Sequence, residues 1–148
     1  MKHIKTLALA LMAPWMIHAA WADAGLPEVT MFKSPTCACC GKWAEHMREA
    51  GFSVKELHSE QMDRVKAQLG VPEALGSCHT ARVGDYLVEG HVPAQDVKRM
   101  LEEKPAVAGL SAPGMPLGSP GMEGPYPAER YEVIAFDREG KASVFARH

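Results

Sequence analysis

Residues 28–57, EVTMFKSPTCACCGKWAEHMREAGFSVKEL, decide the fold. Residues 28–33 form a short β-type run, and Ser34-Pro35-Thr36 stops them. From about residue 38 to residue 50 the period changes. Trp43, Met47 and Ala50 fall four and three apart on one helical face, and Gly51 supplies a C-terminal stop. Residues 52–57 then read as a second strand. A strand, a helix and a strand in this order predict a parallel pair, because a crossover helix is what joins parallel neighbours. The head of the helix carries Cys37, Cys39 and Cys40, three of the chain's four cysteines.

Further along, residues 60–69 predict a second helix, with Met62, Val65 and Leu69 on one stripe and Gly70 and Pro72 closing it. Residues 80–83 and 86–89 are two strands about a Gly84-Asp85 turn. Pro93 opens a third helix, with Val97, Met100 and Leu101 facing inward, and Pro105 ends it. Residues 131–136 and 142–146 form a last hairpin around Asp137-Arg138-Glu139-Gly140. The expected fold is α/β: a thioredoxin-like mixed sheet with flanking helices, a loop rich in Pro, Gly and Met, and a C-terminal β-hairpin. That loop, residues 105–127, holds six of the 11 prolines and five of the 13 glycines, so it predicts neither helix nor central strand. Within it Pro113-Gly114-Met115 recurs as Pro120-Gly121-Met122, placing two methionines on a turn-rich segment.

The whole chain has 148 residues, 47% apolar and 23% charged, with a net charge of −2, as one globular domain requires. Sixteen Lys and Arg against 18 Asp and Glu leave no cationic excess for nucleic acid. Residues 1–22 read as a secretory signal. Lys2 and Lys5 precede an apolar run through Leu7, Leu11, Trp15 and Ile17, which closes on Ala20-Trp21-Ala22. A membrane anchor is the competing reading, but the uncharged run of 17 residues is short for a span and is broken by Pro14 and His18. The expected organisation is thus a cleaved leader, 1–22, and one exported domain, 23–148, with no span after cleavage. Losing two lysines leaves 14 basic against 18 acidic residues, a charge of −4. Export implies a compartment that permits disulfides, the periplasm.

Free N–H groups at a helix start favour thiolate over thiol, which suits both disulfide exchange and soft-metal binding. A two-cysteine oxidoreductase needs one attacking and one resolving sulfur, so the extra thiol of Cys39 favours metal. Three thiolates within four residues can bridge more than one Cu(I) ion. Cys78, in Gly76-Ser77-Cys78-His79-Thr80, is the fourth thiol, at the turn before the third strand and expected beside the CxxC. The candidate metal ligands are Cys37, Cys39, Cys40 and Cys78. His79, His91, Met115 and Met122 are weaker candidates, and His46 lies about 10 Å along the helix from Cys39, too far to share an ion. Three alternatives stay open: a zinc site, a mercury or arsenic site, and plain disulfides Cys37–Cys40 and Cys39–Cys78. A periplasmic thiol–disulfide oxidoreductase using Cys37 and Cys40 is the competing function. Trp43, Met47, Met62 and Met100 are expected in the core.

Four blocks in order, SPTCACCGKW, GSCHTARVGDYLVEGHVP, GLSAPGMPLGSPGMEG and YEVIAF, resemble the CopG-like family of periplasmic copper-resistance proteins, which is unrelated to the DNA-binding repressors of that name. The resemblance covers residues 29–145. It implies a thioredoxin-like fold, a copper site built from the four cysteines, Cu(I) held in a multinuclear cluster, and copper tolerance beside an exporter or chaperone. Interconversion of copper oxidation states, and hence an oxidoreductase activity, is a further implication.

Overall fold

The computed structural model describes residues 25–148. The expected leader, residues 1–22, lies outside the described residues. The chain runs β1 (Val29–Lys33), α1 (Ala38–Glu49), β2 (Val54–His58), α2 (Met62–Leu69), a 3₁₀ turn (Glu73–Leu75), β3 (Thr80–Val83) and β4 (Tyr86–Gly90). It continues through α3 (Ala94–Glu103), β5 (Gly109–Ala112), β6 (Glu132–Phe136) and β7 (Ala142–Arg147). The fold is mixed α/β, as expected. Its seven strands lie in one sheet ordered β2-β1-β3-β4-β5-β6-β7. β1 pairs parallel with β2 around the α1 crossover, and antiparallel with β3.

One expectation fails within the proline-rich loop. β5 lies inside it as an interior strand, parallel to β4 and antiparallel to β6. The reason is local: residues 109–112 contain no proline, so the ladder donors that Pro105 and Pro113 lack are intact here. Gly109 fits because a side chain there would collide with the Leu87 carbonyl. All four residues are buried. α3 thereby becomes a second crossover helix, between β4 and β5, and the terminal hairpin β6–β7 extends the sheet from β5.

Trp43, Ala44 and Met47 of α1 pack with Val97 and Met100 of α3 and with the sheet side chains Met31, Val83, Val88, Leu110 and Val133. Alternation along β4 sends Val88 into this core and Leu87 into a smaller cluster with Val71 and Phe136. Trp43, Met47 and Met100 are buried as expected, whereas Met62 is only half-buried. No residue of α2 is buried: its stripe covers the sheet loosely, with solvent on its other sides.

His46, too far from Cys39 to share an ion, has a structural contact of its own. It is half-buried, and its Nε2 accepts the backbone N–H of Ala94 at 3.0 Å, closing an open donor at the start of α3. Burial lowers its pKa below the ordinary 6.5, outweighing the upward pull of Glu123 and Glu49. The unfolded chain therefore takes up a proton first as pH falls, so this contribution to stability is whole above about 6.5 and declines below it. Urea midpoints are expected to drop with acidification over that range, and less steeply in His46→Gln, whose amide oxygen keeps the acceptor. Equal slopes in the two proteins would remove His46 as a source.

Candidate metal centre

The centre lies where α1 begins and the β3–β4 hairpin ends. Cys37 occupies the N-cap position of α1 without capping it by a side chain, and no acidic residue sits in the first turn. Cys39 and Cys40 follow within that turn, so their sulfurs gather where the helix exposes its unpaired N–H groups. Cys40 is buried, while Cys37, Cys39 and Cys78 are half-buried. Cys37 and Cys40 are joined in a disulfide, and Cys39 and Cys78 are free. The Cys39–Cys78 disulfide weighed from sequence is not formed. The Sγ atoms of Cys37 and Cys39 lie 3.5 Å apart, and those of all four cysteines lie within 4.8 Å of one another.

Cys78 arrives by hairpin register. Val83 pairs with Tyr86 across the turn, and Thr80 with Glu89. One step further, the Gly90 amide donates to the His79 carbonyl at 2.9 Å. The next pair outward is Cys78 and His91, whose Sγ and Nε2 stand 2.9 Å apart. His79 Nδ1 is 3.3 Å from the same sulfur. Cys78, His79 and His91 thus form a second compact donor group. Both imidazoles are fully buried, and Trp43 lies against His79 with ring centroids 4.5 Å apart.

Burial dominates the electrostatics. It pushes the Cys78 thiol up to about 12, with the neighbouring Cys39 adding to the rise. Burial also lowers the pKa of His79, helped by His91, and lowers that of His91 against the opposing pull of the Pro120 carbonyl. The group is consequently neutral: a protonated thiol beside two uncharged imidazoles. An incoming cation would displace the thiol proton and find its nitrogen donors uncharged.

Two sets of contacts hold Cys78 in place. Beneath it, Glu89 is fully buried on β4 and accepts from the Ser77 amide at 2.6 Å, from the Thr80 hydroxyl at 2.5 Å and from the Lys66 ammonium of α2. Sequence reading missed Glu89, since a lone acid at a strand end ordinarily faces water. Above it, the two Pro-Gly-Met repeats dock on either side of the centre. Gly114 of the first bridges to Ser77, and Gly114 N–H donates to the Gly76 carbonyl at 3.0 Å. Gly121 of the second, at φ +87°, lies so close to α1 that a Cβ would stand 2.8 Å from the Cys39 carbonyl oxygen and the Trp43 amide nitrogen. Only glycine meets both demands. Of the two methionines, Met115 is 52% exposed and Met122 half-buried. A cleft of about 440 Å³ lined by Asp63, Lys66, Val71, Glu73 and Ser77 lies on the α2 side and contains none of the cysteines.

An α/β sheet presenting four clustered sulfurs and two adjoining imidazoles has the donor set of a protein that could hold a soft metal ion. Residues 75–122 match the family described as "Protein of unknown function, DUF411". Two solved structures of copper resistance protein CopG, forms 1 and 2, are 40% identical to this chain; each covers 83% of it and 98% of its own length, with TM-scores of 0.78 and 0.79. The chain belongs to the CopG family, as its motifs led one to expect. No curated protein matches it. Among the described residues no helix is long and apolar enough to cross a membrane.

Proposed function

We propose that this protein binds copper in the periplasm, holding Cu(I) with the thiolates of Cys37, Cys39, Cys40 and Cys78, and so contributes to copper tolerance. The observation that carries this reading is the gathering of four sulfurs, drawn from two distant chain segments, within 4.8 Å of one another. Soft thiolates select Cu(I), and sulfurs this close can bridge more than one ion. Membership of a family whose solved members are copper resistance proteins supports the choice of copper over zinc, mercury or arsenic. The sheet order β2-β1-β3-β4, with a parallel first pair and the cysteines at the head of α1, supports a thioredoxin-like origin for the scaffold. The leader, 1–22, would deliver the domain, 23–148, to the periplasm, where an exporter or chaperone would accept the metal. Met115 and Met122 would be thioether contacts along the way in or out.

Four-sulfur binding requires that the Cys37–Cys40 disulfide first be reduced. The decisive experiment is an anaerobic Cu(I) titration of the reduced protein against a competing chelator. More than one copper per chain is expected, with affinity falling by about 100-fold or more when all four cysteines become serine. Equal binding by the parent and that variant would end the copper reading, and a stoichiometry of one or less would end the cluster.

The disulfide also favours a second reading, thiol–disulfide exchange, in which Cys37 attacks and Cys40 resolves. Cys39→Ser separates the two: it removes a copper ligand but leaves the exchanging pair intact.

A further inference from the structure

We infer that Lys33 is a positioning residue for the redox state of the Cys37–Cys40 pair: its buried ammonium at the head of α1 favours the reduced sulfurs over the disulfide. The inference deepens the copper reading, because reduction must precede four-sulfur binding, and it rests on that reading only for the purpose the bias serves.

Lys33 ends β1, where Val29, Met31 and Lys33 alternate onto one buried face. A lysine closing an otherwise apolar row is unusual, since this residue type is seldom buried unless it is paired. Lys33 is only 8% exposed. Its Nζ stands 3.9 Å from the point a Cβ on Gly41 would occupy, and Gly41 directly follows the buried Cys40 in the first turn of α1. Among the described residues its one ion-pair partner is Glu56, 3.6 Å away. That carboxylate is bonded more closely to Arg48, at 2.9 Å, and its side chain is 26% exposed. Two cations thus share one acid, and the surplus positive charge is buried beside the helix start.

By the usual rule a cation is misplaced there. A helix start already carries unpaired N–H groups and the positive end of the peptide dipoles, so an ammonium beside it is unfavourable unless negative charge joins it. The first turn of α1 holds no acidic residue. It holds sulfur instead. Joined as a disulfide, Cys37 and Cys40 carry no charge, and the ammonium keeps only its share of Glu56. Reduced sulfurs can carry negative charge, and a cluster with fewer Cu(I) ions than thiolates remains an anion. Burying an anion is costly without a buried cation beside it. Lys33 therefore stabilises the reduced side of the equilibrium, whether the thiolates are free or hold copper. Glu56 acts in the opposite sense, because it draws off part of that positive charge.

The test is a redox equilibrium in glutathione buffers at one pH and without copper, in protein carrying Cys39→Ser and Cys78→Ser, where Cys37 and Cys40 are the only cysteines left. Reducing their disulfide to two thiols oxidises two glutathione thiols to one glutathione disulfide, so two electrons and two protons balance. Trapping with an alkylating reagent gives the reduced fraction by mass. Lys33→Gln is expected to move the equilibrium toward the disulfide by about threefold or more, and Lys33→Arg to stay close to the parent. Glu56→Gln, whose oxygen still accepts from Arg48, is expected to move it the other way, toward the thiols, by about twofold. A merely structural role for the Lys33–Glu56 pair would move both variants in one direction. An unchanged equilibrium in Lys33→Gln, a shift toward the thiols there, or a shift toward the disulfide in Glu56→Gln would each overturn the inference. Glu56→Gln and Lys33→Arg decide the matter if Lys33→Gln fails to fold. No copper enters the measurement, so its failure is distinct from failure of the Cu(I) titration.

Discussion

Glu89→Ala is expected to destabilise the protein by about 3–5 kcal/mol, the cost of breaking a buried ion pair by removing one partner. The carboxylate is fully buried and serves three donors at once: the Ser77 amide, the Thr80 hydroxyl and the Lys66 ammonium. Truncation leaves an amide and a largely buried cation without their acceptor. The Thr80 hydroxyl retains a contact to Lys66, whose Nζ is 3.0 Å from its oxygen. Against a total stability of about 5–15 kcal/mol for a typical domain, the loss is a large share. Glu89→Gln should cost less, because its amide oxygen still accepts from Ser77, although its NH₂ then competes for the Thr80 and Lys66 contacts. Urea unfolding of the three proteins measures both values. A Glu89→Ala loss under about 1 kcal/mol would show that the network does not support the fold.

The second large effect is on the metal. Cys78→Ser is expected to weaken Cu(I) binding to the reduced protein by about 100-fold or more, above the range seen when only an outer hydrogen-bond partner of a ligand is lost. Cys37, Cys39 and Cys40 are close neighbours in sequence, so any one of them leaves two sulfurs of the same turn behind. Cys78 has no substitute, since it is the sole sulfur delivered by the hairpin and the shared member of both donor groups. A chelator competition that ranks Cys78→Ser equal to Cys37→Ser would contradict this asymmetry. The stability of the variant should change little, as serine approximates the cysteine volume and retains a donor toward His91.

Much of this was legible in the sequence. The change from a short β-type run to helical spacing and back across residues 28–57 locates β1, α1 and β2, and Gly84-Asp85 locates the β3–β4 turn. That turn also sets the register of the residues outside it. With two residues at its tip, the pairing Thr80–Glu89 follows, and two positions further out Cys78 must face His91. His91 could therefore have ranked with the principal candidates. β5 was hidden for a different reason. Its four residues lie between Pro105 and Pro113, and composition averaged over the loop cannot show a proline-free gap within it. Glu89 left no sequence signal, because its burial depends on Lys66 reaching over from a helix that itself buries nothing. Met62, by contrast, had the right spacing and the wrong outcome, since periodicity identifies a face but not how closely that face is covered.

The Pro120 carbonyl bond to His91 has a bearing on when this protein becomes able to take metal. Cys37 and Cys40 are three residues apart, and their sulfurs meet as soon as one helical turn forms. Cys78 meets His91 only after a hairpin has closed, and His91 Nδ1 meets the Pro120 carbonyl only after a loop 29 residues further along has docked. Closing loops of that length costs entropy that is recovered only when the sheet assembles around β5. A newly made chain thus acquires its cysteine pair early and its histidine pair late. The nitrogen donors mark a completed molecule, and an unfinished chain offers copper sulfur alone.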